Sequence, residues 1–308
     1  MLSKRRTIRA VVTAEQAGLR LDQFLAQIDQ DLSRGQAKKL IDLGSVHLNQ
    51  RRLMQCSREL RTNDAITVHI DGLPFEPFVL KDQDIIFRDQ YLLLVNKPAG
   101  VDTQPTPSRY KGTLYAAVAD YLKNPLRRDL KPSIGMVQRL DRDTSGLIIF
   151  SIHRQAHKGL TQAFAGRGVR KLYRAFVSGR IEPAAGEFKS MLARNRASNL
   201  MRSVARGGQE ALTRYRTIAA NELMSAVEVE IPTGLMHQIR VHFAEAGHPL
   251  LGDTRYGGPA AVGNVDIPRQ MLHACSLQLL HPVSKVKLDF SLDLPYDMNA
   301  VFRKLSGD

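Results

Sequence analysis

Gly135-Met136-Val137-Gln138-Arg139-Leu140-Asp141-Arg142-Asp143-Thr144-Ser145-Gly146-Leu147-Ile148-Ile149-Phe150 is the stretch from which the rest of the chain is read. Asp141 lies between Arg139 and Arg142, with Asp143 close by, and Gly146 releases the chain into the apolar run Leu147–Phe150. An apolar run of that length bounded by a glycine reads as a buried strand. Flanking guanidiniums favour the charged form of a carboxylate, and an ionised carboxylate can act as a nucleophile. The same residues also fit a solvated turn with surface ion pairs, which contribute little to stability. The surroundings have to decide between the two.

Those surroundings are basic. The chain of 308 residues carries a formal net charge of +14, and between Asp120 and Arg216 there are 20 Lys/Arg against 7 Asp/Glu. A cationic region of that size favours a polyanion, with RNA or DNA first. A membrane surface fits less well, because the charge is spread over mixed elements and not gathered on one amphipathic helix. Apolar content of 43 % and charged content of 24 % describe an ordinary globular chain. No apolar run approaches the roughly 18 residues of a membrane span. The basic start Met1-Leu2-Ser3-Lys4-Arg5-Arg6 lacks a following apolar core, so no secretion signal is expected. Cys56 and Cys275 are the only cysteines, which argues against a disulfide framework and points to the cytoplasm.

Working outward toward the N-terminus, residues 1–17 read as a loose basic tail with a little β character at Ile8, Val11 and Val12. Leu21, Phe24, Leu25 and Ile28 recur at helical spacing, and Ala37, Leu40 and Ile41 stripe a second helix with Ser33 as N-cap and Gly44 as its end. Val46-His47-Leu48, a turn at Asn49–Gln50 and a β-prone piece at Ala65–Ile70 complete a small α/β domain over 18–72. Asp22, in the first turn of its helix, reads as structural, since a negative charge there suits the macrodipole. A Pro-punctuated linker spans 73–82, and a larger domain spans 83–308. In it Ile85–Phe87, Leu92–Val95, Leu147–Ile152, Lys171–Val177, Leu212–Ile218, Val227–Ile231, Leu272–Leu280 and Val286–Leu292 read as strands. Helices are expected around Ala156–Phe164 and over Leu235–Ala246. The expected class is α+β, with a mixed, largely antiparallel sheet in the larger domain.

Several chemistries are absent. No phosphate-binding loop, dinucleotide fingerprint or nucleophile elbow occurs. His237, His242 and His248 lack the spacing of a zinc-binding helix, so no metal is expected. What remains is a carboxylate in a basic surface. Lys171 and Tyr173 share one face of a strand, and His237 and Arg240 are one turn apart. If Asp141, Tyr173 and Arg240 converge, they supply a nucleophile, a weak acid or base, and a guanidinium that holds the carboxylate ionised.

These residues carry a resemblance. The chain resembles the RluA-type family of pseudouridine synthases, whose central motif His-Arg-Leu-Asp-Arg-Asp-Thr-Ser-Gly-Leu stands here as Gln138–Leu147. Its upstream motif appears as Val95-Asn96-Lys97-Pro98-Ala99-Gly100, and its Lys-x-Tyr strand as Lys171-Leu172-Tyr173. Its C-terminal motif appears as Thr233–His242, continuing through Gly252-Asp253 and Tyr256-Gly257. Residues 18–72 likewise resemble the small RNA-binding domain named after a ribosomal small-subunit protein, through Leu21-Asp22-Gln23-Phe24-Leu25 and Ser33–Ile41.

The resemblance implies the pseudouridine synthase fold and isomerisation of uridine in RNA without cofactor or metal. It makes Asp141 the nucleophile, Tyr173 the group that stacks on the base and moves protons, Arg240 the partner of Asp141, and Arg139 the residue that extrudes the base. Arg34, Lys38, Lys39, Arg51, Arg52, Arg142, Lys171, His237 and Gln238 would contact RNA. Ribosomal RNA of the large subunit is the expected substrate, with transfer RNA as the other candidate, and the protein is expected to act as a monomer away from membranes. Two departures stand out: Gln138 replaces the family's His, and Leu235 replaces an Arg. The alternative is an RNA-binding or ribosome-assembly protein whose catalysis is lost or secondary. A DNA-binding regulator fits poorly, because no recognition helix or dimer pattern is present.

Overall fold

The computed structural model describes residues 5–127, 130–166, 168–198 and 200–306. The chain divides into two compact units. One comprises Met1–Lys81 with Val101–Lys131, the other Asp82–Gly100 with Pro132–Asp308.

The first unit contains β1 (Arg6–Val11), α1 (Leu21–Ile28), α2 (Arg34–Leu43), β2 (Val46–Leu48), β3 (Arg51–Arg52), β4 (Ala65–Ile70) and α3 (Leu114–Tyr121). Its sheet runs in the order β1-β4-β2-β3, all antiparallel. The apolar stripes of α1 and α2 bury Leu21, Phe24, Leu25, Ala37, Leu40 and Ile41 against Val46, Ile66, Val68 and Ile70 of the sheet. Both ends of α2 are capped as the sequence predicts. Ser33 Oγ accepts from Gln36 N–H at 3.2 Å, and Gly44 closes the helix at φ 82°. Asn49 and Gln50 form the hairpin turn with φ of 47° and 67°, the positive values that a two-residue turn of matching twist needs.

Residues 1–17 are not simply a tail. Arg6–Val11 pairs along its whole length with Ala65–Ile70. Ile8 and Ala10 turn inward onto the core, while Arg6, Thr7 and Arg9 between them make the segment look polar in sequence. Helix α3, whose residues Leu114, Ala116, Ala117 and Val118 are buried, also belongs to this unit.

The second unit contains β5 (Ile85–Arg88), β6 (Leu92–Lys97), β7 (Gly135–Met136), β8 (Ser145–Ser151), α4 (Arg154–Ala165), β9 (Val169–Ser178), β10 (Ala185–Arg194), β11 (Met201–Ser203), β12 (Gln209–Ala220) and β13 (Met224–Glu230). It continues with α5 (Gln238–Glu245), β14 (Ala261–Val262), β15 (Val265–Asp266), β16 (Leu272–Leu280), β17 (Lys287–Ser291) and α6 (Tyr296–Ser306). One sheet runs β11-β10-β12-β13-β9-β16-β8-β6-β5, with β17 on β16 and β7 on β8. Among the described residues its pairings are antiparallel except for β8 with β16. The expected mixed, largely antiparallel sheet is therefore present.

Every residue of β8 is buried, as a strand covered on both faces should be. Leu147 and Ile149 pack with Ala156 and Leu160 of α4 and with Leu277 and Leu279 of β16. Gly146 permits the parallel contact. Its φ is 113°, and a Cβ there would lie 2.2 Å from the Ala274 carbonyl oxygen. The strand thus meets β16 directly after the Asp141–Ser145 turn, which anchors that turn at the sheet seam.

Helix α5 begins later than its sequence pattern predicts, at Gln238 and not at Leu235. Gln238 causes the difference. Its side-chain oxygen accepts from Leu235 N–H at 3.1 Å and from Thr233 Oγ1 at 2.9 Å, which fixes residues 233–237 as a separate turn.

Candidate active site

A cavity of about 460 Å³ in the second unit is lined by Arg139, Asp141, Lys171, Tyr173, His237 and Arg240 together with apolar side chains. Residues scattered over a hundred positions of sequence thus share one concave surface, of the size that small-molecule sites usually have.

Arg240, 5 % exposed on the first turn of α5, organises it. Its Nε and Nη2 donate to Asp253 Oδ2 and Oδ1 at 2.6 and 2.8 Å, and its Nη1 donates to Asp141 Oδ2 at 2.7 Å. A bidentate carboxylate fixes the plane of the guanidinium, so the remaining N–H has one direction left. Burial works against the charge on Arg240, but the Asp253 bonds and the Asp141 and Asp253 charges outweigh it and hold the group protonated. The Tyr256 ring lies 5.0 Å from the guanidinium carbon and covers it.

The turn that carries Asp141 is held from several directions. Buried Lys97 donates from Nζ to the carbonyls of Pro98 and Arg142, both at 2.8 Å. Arg269 Nη1 donates to the Asp143 carbonyl at 3.0 Å, and Gln270 Nε2 donates to Thr144 Oγ1 at 2.7 Å. Arg269 is itself fixed by Asp297 at 2.6 and 3.0 Å. Such support holds a reacting group in one geometry before substrate arrives. Among the described residues no donor bonds Asp141 Oδ1, and the side chain is 27 % exposed. One carboxylate oxygen is anchored and the other is open.

Tyr173 projects from β9 and is 7 % exposed. Burial, then the Asp141 charge, pushes its phenol far above the usual range, so it is a neutral hydroxyl and a flat ring, not a phenolate. Lys171, two residues earlier on the same strand face, has its ammonium 5.9 Å from the Phe164 ring centre and no acidic partner among the described residues. Burial lowers its pKa. Arg139 is exposed and lines the cavity. Among the described residues Gln138 reaches only the Leu147 carbonyl, at 3.5 Å. Leu235, where a cation was expected from the family pattern, packs on the apolar cluster of Leu192, Met201, Ala211 and Val241.

The structure corrects parts of the sequence reading. Arg139 and Arg142 do not bracket Asp141 as its partners. The partner is Arg240, 99 residues away, as the family resemblance implies. Gln238 is a poor RNA ligand, since it is 2 % exposed and its amide is occupied by Leu212, Thr213, Thr233 and Leu235. In the first unit Arg52 is committed internally, with Nη2 donating to the Thr106 carbonyl at 2.5 Å and the guanidinium 5.7 Å from the Tyr110 ring centre. Arg34 is held by Asp22 at 2.9 Å, with half its side chain exposed. Lys38 lies 3.9 Å from the same carboxylate, Lys39 sits over the Phe75 ring, and Arg51 is exposed. The basic sheet is also less free than its composition suggests: Arg170, Arg174, Arg214 and Arg216 pair with Glu230, Glu228, Glu187 and Glu228.

Asp253, Arg269, Gln270 and Asp297 received no role from sequence. For Asp253 the signals were its place in the continued C-terminal motif and Gly252 beside it. A Cβ at Gly252 would lie 1.9 Å from the Arg269 carbonyl oxygen, so that turn needs a glycine.

Residues 91–245 match the model of the RNA pseudouridylate synthase family, and residues 19–66 match the S4 domain. The chain is 35 % identical to the ribosomal large subunit pseudouridine synthase D of Zymomonas mobilis, over 97 % of this chain and 98 % of that one. It is 38 % identical to an uncharacterized RNA pseudouridine synthase of Bacillus subtilis, over 71 % of each chain. The solved structure of human RNA pseudouridylate synthase domain containing 4 superposes with a TM-score of 0.60 at 22 % identity, covering 73 % of this chain and 93 % of that one, and so shares the fold. The chain belongs to the RNA pseudouridylate synthase family. Its activity is the isomerisation of uridine in RNA, and an S4 domain precedes the catalytic region. No helix among the described residues is long and apolar enough to cross a membrane.

Proposed function

We propose that Asp141 is the nucleophile of this isomerisation, acting through Oδ1 while Arg240 holds Oδ2. In the net reaction the N1–C1′ bond breaks and a C5–C1′ bond forms. C5 loses a proton and N1 gains one, so no redox partner or external atom is required. The observation that carries the reading is the half-anchored carboxylate in a cavity of nucleoside size. Tyr173 presents a flat, uncharged ring for stacking on the uracil, and its hydroxyl is suited to hydrogen-bonding the base. A base within a stack cannot offer its sugar carbon to such a carboxylate, so the nucleotide has to be flipped out. Arg139 would fill the vacated position, a role supported by its exposure at the cavity and its lack of ion pairs among the described residues.

Arg34, Lys38, Lys39 and Arg51 of the S4 domain, with Arg142 and Lys171 near the cavity, would hold phosphates. Large-subunit ribosomal RNA is the proposed substrate, supported by the name of the Zymomonas relative. A monomer working in the cytoplasm is part of the same proposal. The binder without catalysis is the weaker reading, because Asp253, Lys97, Arg269 and Gln270 are all spent on positioning Asp141 or its partner. The test is tritium release from RNA labelled at uracil C5. Release from ribosomal RNA supports the reading, and no release from any cellular RNA overturns it. Mapping pseudouridines in cells with and without the gene then names the position.

A further inference from the structure

His237 has a φ of 54° and a ψ of 17°, the left-handed region that non-glycine residues adopt sparingly. Strain of this kind persists where neighbouring contacts over-determine it, and it clusters at functional positions. Here Gln238 fixes the turn from one side, and the imidazole is fixed from the other. Its Nδ1 lies 2.8 Å from Tyr256 Oη, and its Nε2 lies 3.7 Å from Asp141 Oδ2.

The proton positions along this chain follow from Tyr256. Its oxygen accepts the Met201 N–H at 2.9 Å. Its own O–H has one acceptor within reach among the described residues, His237 Nδ1. The ring hydrogen then sits on Nε2, facing the carboxylate. The other tautomer would aim the Nε2 lone pair at an anion. Met201 N–H, Tyr256 O–H and His237 Nε2–H thus all point toward Asp141.

We propose that Tyr256 locks His237 as the neutral Nε2–H tautomer, making His237 a positioning residue that turns an N–H toward Asp141 Oδ2 from 3.7 Å, beside the hydrogen bond from Arg240. His237 then serves the nucleophile, not the RNA, and this assignment presupposes Asp141 as the nucleophile. The charged groups facing the ring are Asp141, Arg240, Arg255 and Asp253. Burial lowers the imidazole pKa, Asp141 and Asp253 raise it, Arg240 and Arg255 lower it, and the net direction is down, which keeps the ring neutral.

The direct test is nitrogen-15 NMR of the full-length protein with labelled histidine at pH 7. A neutral His237 protonated on Nε2 supports the lock. A neutral Nδ1–H form or an imidazolium overturns it. This readout needs no turnover, so it can fail or stand independently of the nucleophile assignment, which tritium release tests. Tyr256→Phe removes the donor and frees Nδ1 for protonation. Its nitrogen-15 spectrum at pH 7 should then show a larger share of the Nδ1–H form than wild type, because the donor that held Nδ1 as an acceptor is gone. Superimposable spectra would overturn the lock. His237→Gln keeps an N–H and should hold kcat within about threefold, whereas His237→Leu should lose about tenfold, both with KM for RNA unchanged. A raised KM with kcat retained would return His237 to the RNA-binding set and overturn the proposal. Melting curves separate any loss of fold at this strained position.

Discussion

The tripeptide Arg-Leu-Asp occurs once in each unit, and its two aspartates have opposite fates. Asp22 is fully buried. Its Oδ1 accepts from Arg20 Nε at 3.2 Å and its Oδ2 from Arg34 Nε at 2.9 Å, so both oxygens are bonded. Asp141 is partly open, with one oxygen on Arg240 and none of the described donors on the other. The arginine two residues upstream differs as well. Arg20 bonds its aspartate in the first turn of α1, while Arg139 stays exposed at the cavity. A carboxylate is structural when both oxygens are consumed. It is available for chemistry when distant residues anchor one oxygen and leave the other facing a cavity. Neighbours in sequence do not decide this.

The contrast is broken most severely at Asp141. Asp141→Asn is expected to lower tritium release by at least about 10³-fold, with the melting temperature within about 2 °C of wild type, because Arg240 keeps its bidentate bond to Asp253. Arg240→Lys strikes both chemistry and fold. It leaves the Asp253 carboxylate buried without its fork, so urea unfolding should show a loss of about 3 kcal/mol and turnover a loss of about 100-fold.

Asp22→Asn should do the reverse of Asp141→Asn, costing about 1–3 kcal/mol by urea titration at pH 7 with turnover unchanged. Its pH dependence has a definite sign. Burial raises the Asp22 pKa, but the bonds and charges of Arg34 and Arg20 outweigh it and hold the group below the usual carboxylate value. Its contribution is therefore complete above the unfolded value, about 3.9, and is lost as pH falls through the lower folded one. The gap between wild type and Asp22→Asn should close over that acidic window. The smallest effect belongs to exposed Arg51. Arg51→Gln should leave stability within about 0.5 kcal/mol and reduce the salt dependence of RNA binding by about one unit of slope. Deleting residues 1–82 is a poorer test, since residues 101–131 would lose the unit they pack in.

Much of this was legible in the sequence because it is encoded locally. Ser33 and Gly44 bound α2, Asn49–Gln50 turns the hairpin, and Leu147–Phe150 is a buried strand because each depends on residues a few positions apart. That Asp141, Tyr173 and Arg240 share a site was legible only through the resemblance to the RluA-type family, since their spacing alone does not bring them together. The unread features depend on distant partners. Arg240 reaches Asp141 only through the β8–β16 seam and the turn fixed by Gln238. Asp253 stands in the continued C-terminal motif, but nothing near it in sequence names Arg240 as its partner. Arg269 and Asp297 support a turn more than a hundred residues before them. Helix α3 was missed because Leu114-Tyr115-Ala116-Ala117-Val118-Ala119 has no polar stripe against which to see a period.

The most direct measurement is tritium release from uracil-C5-labelled ribosomal RNA by wild type, Asp22→Asn and Asp141→Asn under one condition, with melting curves alongside. The expected result is wild-type release from Asp22→Asn and none above background from a fully folded Asp141→Asn. Equal release from the two variants would contradict the assignment of Asp141 as the nucleophile.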